Sequence, residues 1–203
     1  MLLTKNDKMK AHIRYFILIL GIAFLTGCCL QKTHFTAEEM QWLNPYEEGD
    51  TLIFQSAKGE VDTSWIVQKT IYHSRIGCNP IASHGTHKYH TGRIIYHNST
   101  RKYNTTDKNL LSIQKHRDRT DLSISYLDNL FVIHELDIKL SYSRFTHIKV
   151  LNKGELFLFS DDHPQKKPDD IRYLYWHKDH GIIKYITHEG VEWKRINLDF
   201  EVE

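Results

Sequence analysis

The sequence predicts an all-β fold: an antiparallel meander that forms a barrel, a half-barrel or a sandwich, with one short helix before it. Apolar and polar residues alternate with a period of two along several segments, as at Leu122, Ile124 and Tyr126. No long helical pattern separates these segments, which excludes a parallel sheet built from βαβ units. Glycine stands in short polar turns between them, where a hairpin needs a positive φ. These turn glycines are Gly59, Gly154, Gly181 and Gly190.

The one predicted helix covers roughly residues 37–43. Thr36 and Glu39 have the spacing of a capping box, in which each side chain accepts a hydrogen bond from the other residue's backbone amide. Pro45 cannot continue a helix, so the helix must end before it. We expect its apolar residues to close one end of the domain: Met40, Trp42 and Leu43.

About nine strands are predicted after this helix. Trp65, Val67 and Ile71 are all at odd-numbered positions, which an extended chain points to the same side. This pattern predicts a strand with one buried face. The runs 130–133 and 156–159 are apolar on both parities, which predicts central strands that are covered on both sides.

The first 27 residues have the pattern of a secretory signal. Residues 1–14 are basic, and the apolar run at 15–25 is too short to span a bilayer as a helix. The junction Leu25-Thr26-Gly27-Cys28 resembles the bacterial lipobox, which implies cleavage before Cys28 and acylation of that cysteine. The predicted organisation is a lipoprotein signal peptide at 1–27, a lipidated tether at 28–35 and a single β domain at 36–203.

The charge of the mature chain argues against a nucleic-acid partner. The signal peptide holds four of the 27 basic residues and one of the 25 acidic residues, so the mature chain has a net charge near −1. A nucleic-acid-binding domain has a strong positive excess. The predicted partners are instead the lipid bilayer, which the acylated Cys28 would enter, and an envelope protein.

A histidine-rich stretch is the candidate metal site. The chain has 14 histidines, and this stretch combines three of them with a cysteine, the ligand types that zinc prefers. The spacing does not match a structural zinc pattern, and neighbouring ligands would face opposite sides of a strand. We therefore expect no cofactor, with zinc as the alternative. The candidate ligands are Cys78, His84, His87 and His90, flanked by His73 and His97.

The sequence predicts no catalytic residue and no enzymatic activity. There is no G-x-S-x-G elbow and no glycine-rich phosphate loop. Ser83 stands next to His84, but adjacency in sequence is not the geometry of a catalytic triad.

Two stretches resemble small uncharacterised lipoproteins of Bacteroidetes-type envelopes. The first is residues 44–54 followed by Ser56, Gly59 and Asp62, and the second is residues 173–176 and 181–185 followed by Trp193. The resemblance implies an envelope lipoprotein and assigns no catalytic residue. In such lipoproteins, acidic residues soon after the lipidated cysteine resemble a surface-export signal. Here the first acid after Cys28 is Glu38, which favours a periplasm-facing protein on the outer membrane.

The leading interpretation is a membrane-tethered, non-enzymatic lipoprotein whose β domain binds a partner or a component of the envelope. Two alternatives stay open: a half-barrel carrier of a lipid or another apolar ligand, and a metal-binding protein that uses the histidine loop. A continuous apolar concavity would favour the carrier, whereas a filled core would favour the binding domain.

Overall fold

The computed structural model describes residues 15–18, 31–74, 87–98, 108–117, 119–133, 146–151, 155–161 and 165–198. Residues 15–18 are helical and exposed. Among the described residues, none of the helices combines the length and apolar character needed to cross a membrane. Cys28, Cys78 and His84 lie outside the described residues, and only the backbone of His87 is described.

The all-β prediction is confirmed, because the sheet is antiparallel, nearly closed and barrel-like. Eleven strands pair in the order β8-β7-β6-β5-β3-β2-β13-β12-β11-β10-β9, and β1 pairs separately with β4 in parallel. The described residues contain thirteen strands, and twelve of them follow α1, where about nine were predicted. The elements are β1 Gln31–Lys32, α1 Ala37–Met40, β2 Thr51–Ser56, β3 Val61–His73, β4 His87–Lys88, β5 His90–Asn98, β6 Lys108–Lys115, β7 Thr120–Tyr126, β8 Asn129–Ile133, β9 Thr146–Leu151, β10 Leu156–Asp161, β11 Ile171–His177, β12 Gly181–Thr187 and β13 Glu192–Arg195.

The helix α1 has the predicted capping box but is shorter than predicted. The Thr36 hydroxyl accepts from the Glu39 amide, and the Glu39 carboxylate accepts from the Thr36 amide. The helix ends at Met40 rather than at residue 43, and the chain continues as hydrogen-bonded turns. The amides of Trp42 and Leu43 donate to the carbonyls of Glu39 and Met40, three residues earlier, as in a turn. Trp42 and Leu43 are buried in the core, with Trp42 stacked on Trp176 at 4.2 Å between ring centroids.

The prediction of which face of β3 is buried was wrong. Its alternate residues Asp62, Ser64 and Ile66 are buried, whereas Trp65 and Val67 are 37% and 41% exposed. Periodicity identifies a two-faced strand but does not identify the inner face, and here the inner face carries polar residues. The pairing of β3 with β5 also shifts register between Ile66 and Gln68, which marks a bulge at Val67.

The prediction of a central strand at 130–133 was also wrong. This run forms most of β8, which lies at one edge of the eleven-stranded sheet, and Leu130 is 53% exposed. The run 156–159 belongs to β10, which pairs with β9 and β11, as expected of an internal strand. Because an isolated exposed leucine is common on protein surfaces, an apolar run on both parities does not require cover on both sides.

The predicted turn glycines are confirmed where they are described. Gly59, Gly181 and Gly190 have φ of 82°, 69° and 90°, a region that residues with a Cβ rarely adopt. Gly154 lies outside the described residues. At Gly181 an added Cβ would also overlap the ring of Tyr46, whose hydroxyl accepts a hydrogen bond from the Ile182 amide.

Aromatic rings fill the centre of the barrel-like sheet. Tyr126 lies 5.7 Å from Phe54, 5.4 Å from Tyr96 and 5.7 Å from Tyr185, measured between ring centroids. Burial, and then the nearby Asp62 carboxylate, raise the pKa of Tyr126 well above its ordinary value. Its hydroxyl therefore stays protonated and able to donate a hydrogen bond to Asp62.

Asp62 is the centre of a buried polar cluster that the sequence analysis did not identify. Its carboxylate accepts from the Tyr185 hydroxyl at 3.2 Å and from the Asn98 side-chain amide at 2.7 Å. A buried carboxylate needs such donors, because leaving it without hydrogen bonds is costly. The cluster faces the filled interior, so we assign it a structural role.

Candidate functional site

The segment before α1 lies directly on the barrel. Its β1 pairs with β4, placing Gln31 opposite His87 and Lys32 opposite Lys88. The Thr33 hydroxyl donates to the backbone carbonyl of Lys115 at 3.0 Å and accepts from the amide of His90 at 3.0 Å. These contacts fix the end of the predicted tether, residues 31–35, against β4, β5 and β6.

Three histidines from three segments meet at this contact, and we call them the histidine cluster: His34, His73 and His90. His73 ends β3 and His90 begins β5, and these two residues are paired in the register of the two strands. Their rings stack at 4.5 Å with an interplanar angle of 9°. The His34 ring stands edge-on to both, at 5.1 Å from His73 and 5.7 Å from His90. One ring nitrogen from each histidine lies within 4.8 Å of the others.

Backbone groups hold two of the three rings. The Nε2 atom of His73 lies 2.9 Å from the Thr33 carbonyl oxygen, so Nε2 carries the proton and Nδ1 keeps the lone pair. The Phe35 amide donates to Nδ1 of His90 at 3.0 Å, so Nδ1 of His90 carries the lone pair. The Phe35 ring also stacks on His90 at 4.1 Å. The geometry thus fixes the tautomers of His73 and His90.

The environment favours the neutral form of His90. Burial lowers the pKa of His90, and repulsion from His73 and then His34 lowers it further, whereas the Glu39 carboxylate raises it. The net direction is below the ordinary histidine value. Imidazole nitrogens are ligands that zinc and copper prefer, and the three rings each offer one within 4.8 Å of the others, so this donor set fits a transition metal.

The histidine cluster overlaps only partly with the candidate ligands from the sequence. His90 is in the cluster, together with the flanking His73, while His97 stacks on Trp65 instead. His34 was missed because it lies far from the histidine-rich stretch in sequence, and no local spacing connects it to that stretch. The parallel pairing of β1 with β4 and the hydrogen bonds of Thr33 and Phe35 to His73 and His90 place it there. Cys78, His84 and the His87 side chain lie outside what the structure describes.

A second feature is an exposed aromatic surface, which we call the β3–β5 outer face: Trp65, Val67, Tyr72, Arg93, Ile95 and His97. The Trp65 ring stacks on His97 with centroids 6.0 Å apart. The Arg93 guanidinium lies 5.8 Å from the centre of the Tyr72 ring, within the range of a cation–π interaction. Tyr72 is 39% exposed, as exposed as Trp65 and Val67. Large apolar side chains therefore lie along the outside of two adjacent strands, with Trp65 and His97 towards one end and Tyr72 and Arg93 towards the other.

Comparison of the chain with protein-family models, with curated proteins and with solved structures gives no match in any of the three.

Proposed function

We propose that the chain is a non-enzymatic envelope lipoprotein, anchored through acylated Cys28 to the periplasmic side of the outer membrane, whose barrel binds a protein partner. The observation that carries this proposal is the distribution of aromatic residues. The interior is filled by buried rings, while the β3–β5 outer face exposes Trp65, Val67 and Tyr72 to solvent. Exposed apolar patches of this kind are typical of protein interaction sites.

The residue types of this face support a protein partner. Tryptophan, tyrosine and arginine dominate the binding energy of protein interfaces, and the face groups Trp65, Tyr72 and Arg93. The stacking of Trp65 on His97 and of Arg93 over Tyr72 limits the freedom of these side chains before binding. A preordered surface loses less conformational entropy when the partner docks.

The proposed anchor would hold this surface near the membrane. Cys28 is three residues before Gln31, which pairs with β4 beside the barrel, so the connection spans at most about 10 Å. Residues 31–35 do not lengthen this connection, because they are held by pairing with β4 and by hydrogen bonds to β5 and β6. The partner is therefore an envelope protein that lies at or near the same membrane.

Replacing Cys28 with serine tests the anchor. We expect Cys28→Ser to abolish lipidation, because a serine hydroxyl cannot form the thioether, and most of the chain should leave the membrane fraction or stay unprocessed. Fractionation and the intact mass of the chain measure this, with Cys29→Ser as the matched control that should behave like the parent. Unchanged mature mass and membrane association in Cys28→Ser would contradict the anchor.

The alternative function is a carrier of an apolar ligand, and it needs interior space. Phe54, Tyr126, Phe131 and Phe159 are fully buried at the centre of the fold. Organic extraction of the full chain, purified in detergent, followed by mass spectrometry of the extract, separates the two functions. We expect no apolar compound in a one-to-one ratio beyond the covalent acyl chains. A stoichiometric lipid in the extract would favour the carrier.

A further inference from the structure

We propose that His34, His73 and His90 form a binding site for one divalent transition-metal ion of the zinc and copper class. The three imidazoles come from the N-terminal segment, the end of β3 and the start of β5, and one ring nitrogen of each lies within 4.8 Å of the others. This site is separate from the proposed binding surface. It also differs from the ligand set that the histidine-rich stretch suggests, with which it shares only His90.

Two of the three histidines are ready to act as ligands. His73 holds its Nε2 proton against the Thr33 carbonyl, which leaves the Nδ1 lone pair free for a metal. A hydrogen bond from the far ring nitrogen to a backbone carbonyl is the usual way in which proteins orient a metal-bound histidine. His34 is exposed, so its ring can rotate to present either nitrogen.

The third histidine must exchange one bond for another. The Phe35 amide donates to Nδ1 of His90. A metal bound at Nδ1 would take that lone pair, and a metal bound at Nε2 would leave the proton on Nδ1, so Nδ1 could not accept from Phe35 in either case. Metal binding at His90 therefore displaces the Phe35 amide. This exchange gives the three-histidine site a signature that a site made of His34 and His73 alone would lack.

A bound ion would also set the spacing of the three rings. Zinc–nitrogen bonds of about 2.0–2.1 Å in a tetrahedron place ligand atoms about 3.3 Å apart, so any pair of nitrogens that is wider than this within the 4.8 Å range must close up. His34 can supply the movement, since it is exposed and stands edge-on to the stacked pair. A bound ion would then cross-link the segment that follows Cys28 to two strands of the barrel, with its fourth position open to water.

Zinc titration of the full chain, purified in detergent, tests the site at pH 7.5 by competition with a chromophoric chelator. We expect one zinc ion per chain, and His34→Ala and His73→Ala should each weaken binding by roughly tenfold or more. His97→Ala is the matched control, because His97 lies on the same strand as His90 but outside the cluster, and it should leave the affinity unchanged. Circular dichroism checks that each variant is folded. Because the His34 side chain is exposed, His34→Ala should stay folded, so a loss of zinc binding in this variant reports on the site itself.

The double variant Cys78→Ser, His84→Ala separates this site from the histidine-rich stretch. We expect the double variant to bind zinc like the parent. Loss of binding in the double variant, or parental affinity in His34→Ala, would overturn the proposal.

In amide NMR spectra, zinc should also shift the Phe35 resonance to that of an amide without its hydrogen bond. An unchanged Phe35 resonance at saturating zinc would overturn the three-histidine assignment.

Discussion

Replacing Trp42 with alanine is expected to lower the free energy of unfolding by about 4 kcal/mol. Trp42 is 5% exposed and stacks on Trp176, and its ring centroid lies 4.8 Å from that of Phe157. Alanine would lose these contacts and leave a cavity between the turn after α1 and strands β10 and β11. Urea unfolding followed by circular dichroism measures the loss.

Trp65→Ala is the matched control for this experiment. Trp65 is 37% exposed on the β3–β5 outer face, so its removal should cost less than about 1 kcal/mol. Equal losses in the two variants would contradict the assignment of Trp42 to the core and Trp65 to the surface.

Replacing Glu39 with glutamine is expected to cost about 2 kcal/mol at pH 7. The Glu39 carboxylate is buried beside β6 and β7, where it accepts from Lys115 at 2.6 Å and from the Thr120 hydroxyl, while its other oxygen accepts from the Thr36 amide. Glutamine is neutral and would leave the Lys115 ammonium without its counter-charge. Thermal and urea unfolding of the two chains measure the difference.

The cost of Glu39→Gln should depend on pH. Burial raises the pKa of Glu39, but the hydrogen bonds from Lys115, Thr120 and the Thr36 backbone outweigh burial, and the net pKa lies below 4.5. A lowered folded-state pKa means that the carboxylate stabilises the fold above pH 4.5 and that this contribution is lost as pH falls through the folded-state value. The difference between the parent and Glu39→Gln should therefore shrink below pH 4.5.

Glu38→Gln is the control for the pH dependence. Glu38 is in the same first turn of α1 but is exposed, so its replacement should change stability by less than about 0.5 kcal/mol. A pH-independent cost at Glu39, or an equal cost at Glu38, would contradict the role given to the buried carboxylate.

Features that depend on a few neighbouring residues were predictable from the sequence. The capping box needs only Thr36 and Glu39, and the turns need only a glycine that tolerates positive φ, as at Gly59 and Gly190. The all-β class followed from the same local patterns. These predictions hold because the physical cause lies within four residues of its effect.

Features that depend on long-range pairing were not predictable. The inner face of β3 can carry the polar residues Asp62 and Ser64 because Asp62 meets Tyr185 and Asn98, residues that are distant in the sequence. The histidine cluster likewise needs His34 to reach His73 and His90, and this depends on the pairing of β1 with β4 and on the bonds of Thr33 and Phe35 to His90. Composition identified a histidine-rich stretch, but only the topology shows which histidines meet.

Site-specific photo-crosslinking in the native envelope tests most directly the claim that the barrel binds a protein through the β3–β5 outer face. A photoreactive residue at Val67, which is 41% exposed beside Trp65, should give one discrete adduct with a protein after irradiation. The same residue at Arg172, which is exposed on β11, is the control and should give none. Trp65→Ala should abolish the Val67 adduct without unfolding the chain. An adduct from Arg172 but not from Val67, or no adduct from Val67, would contradict the claim.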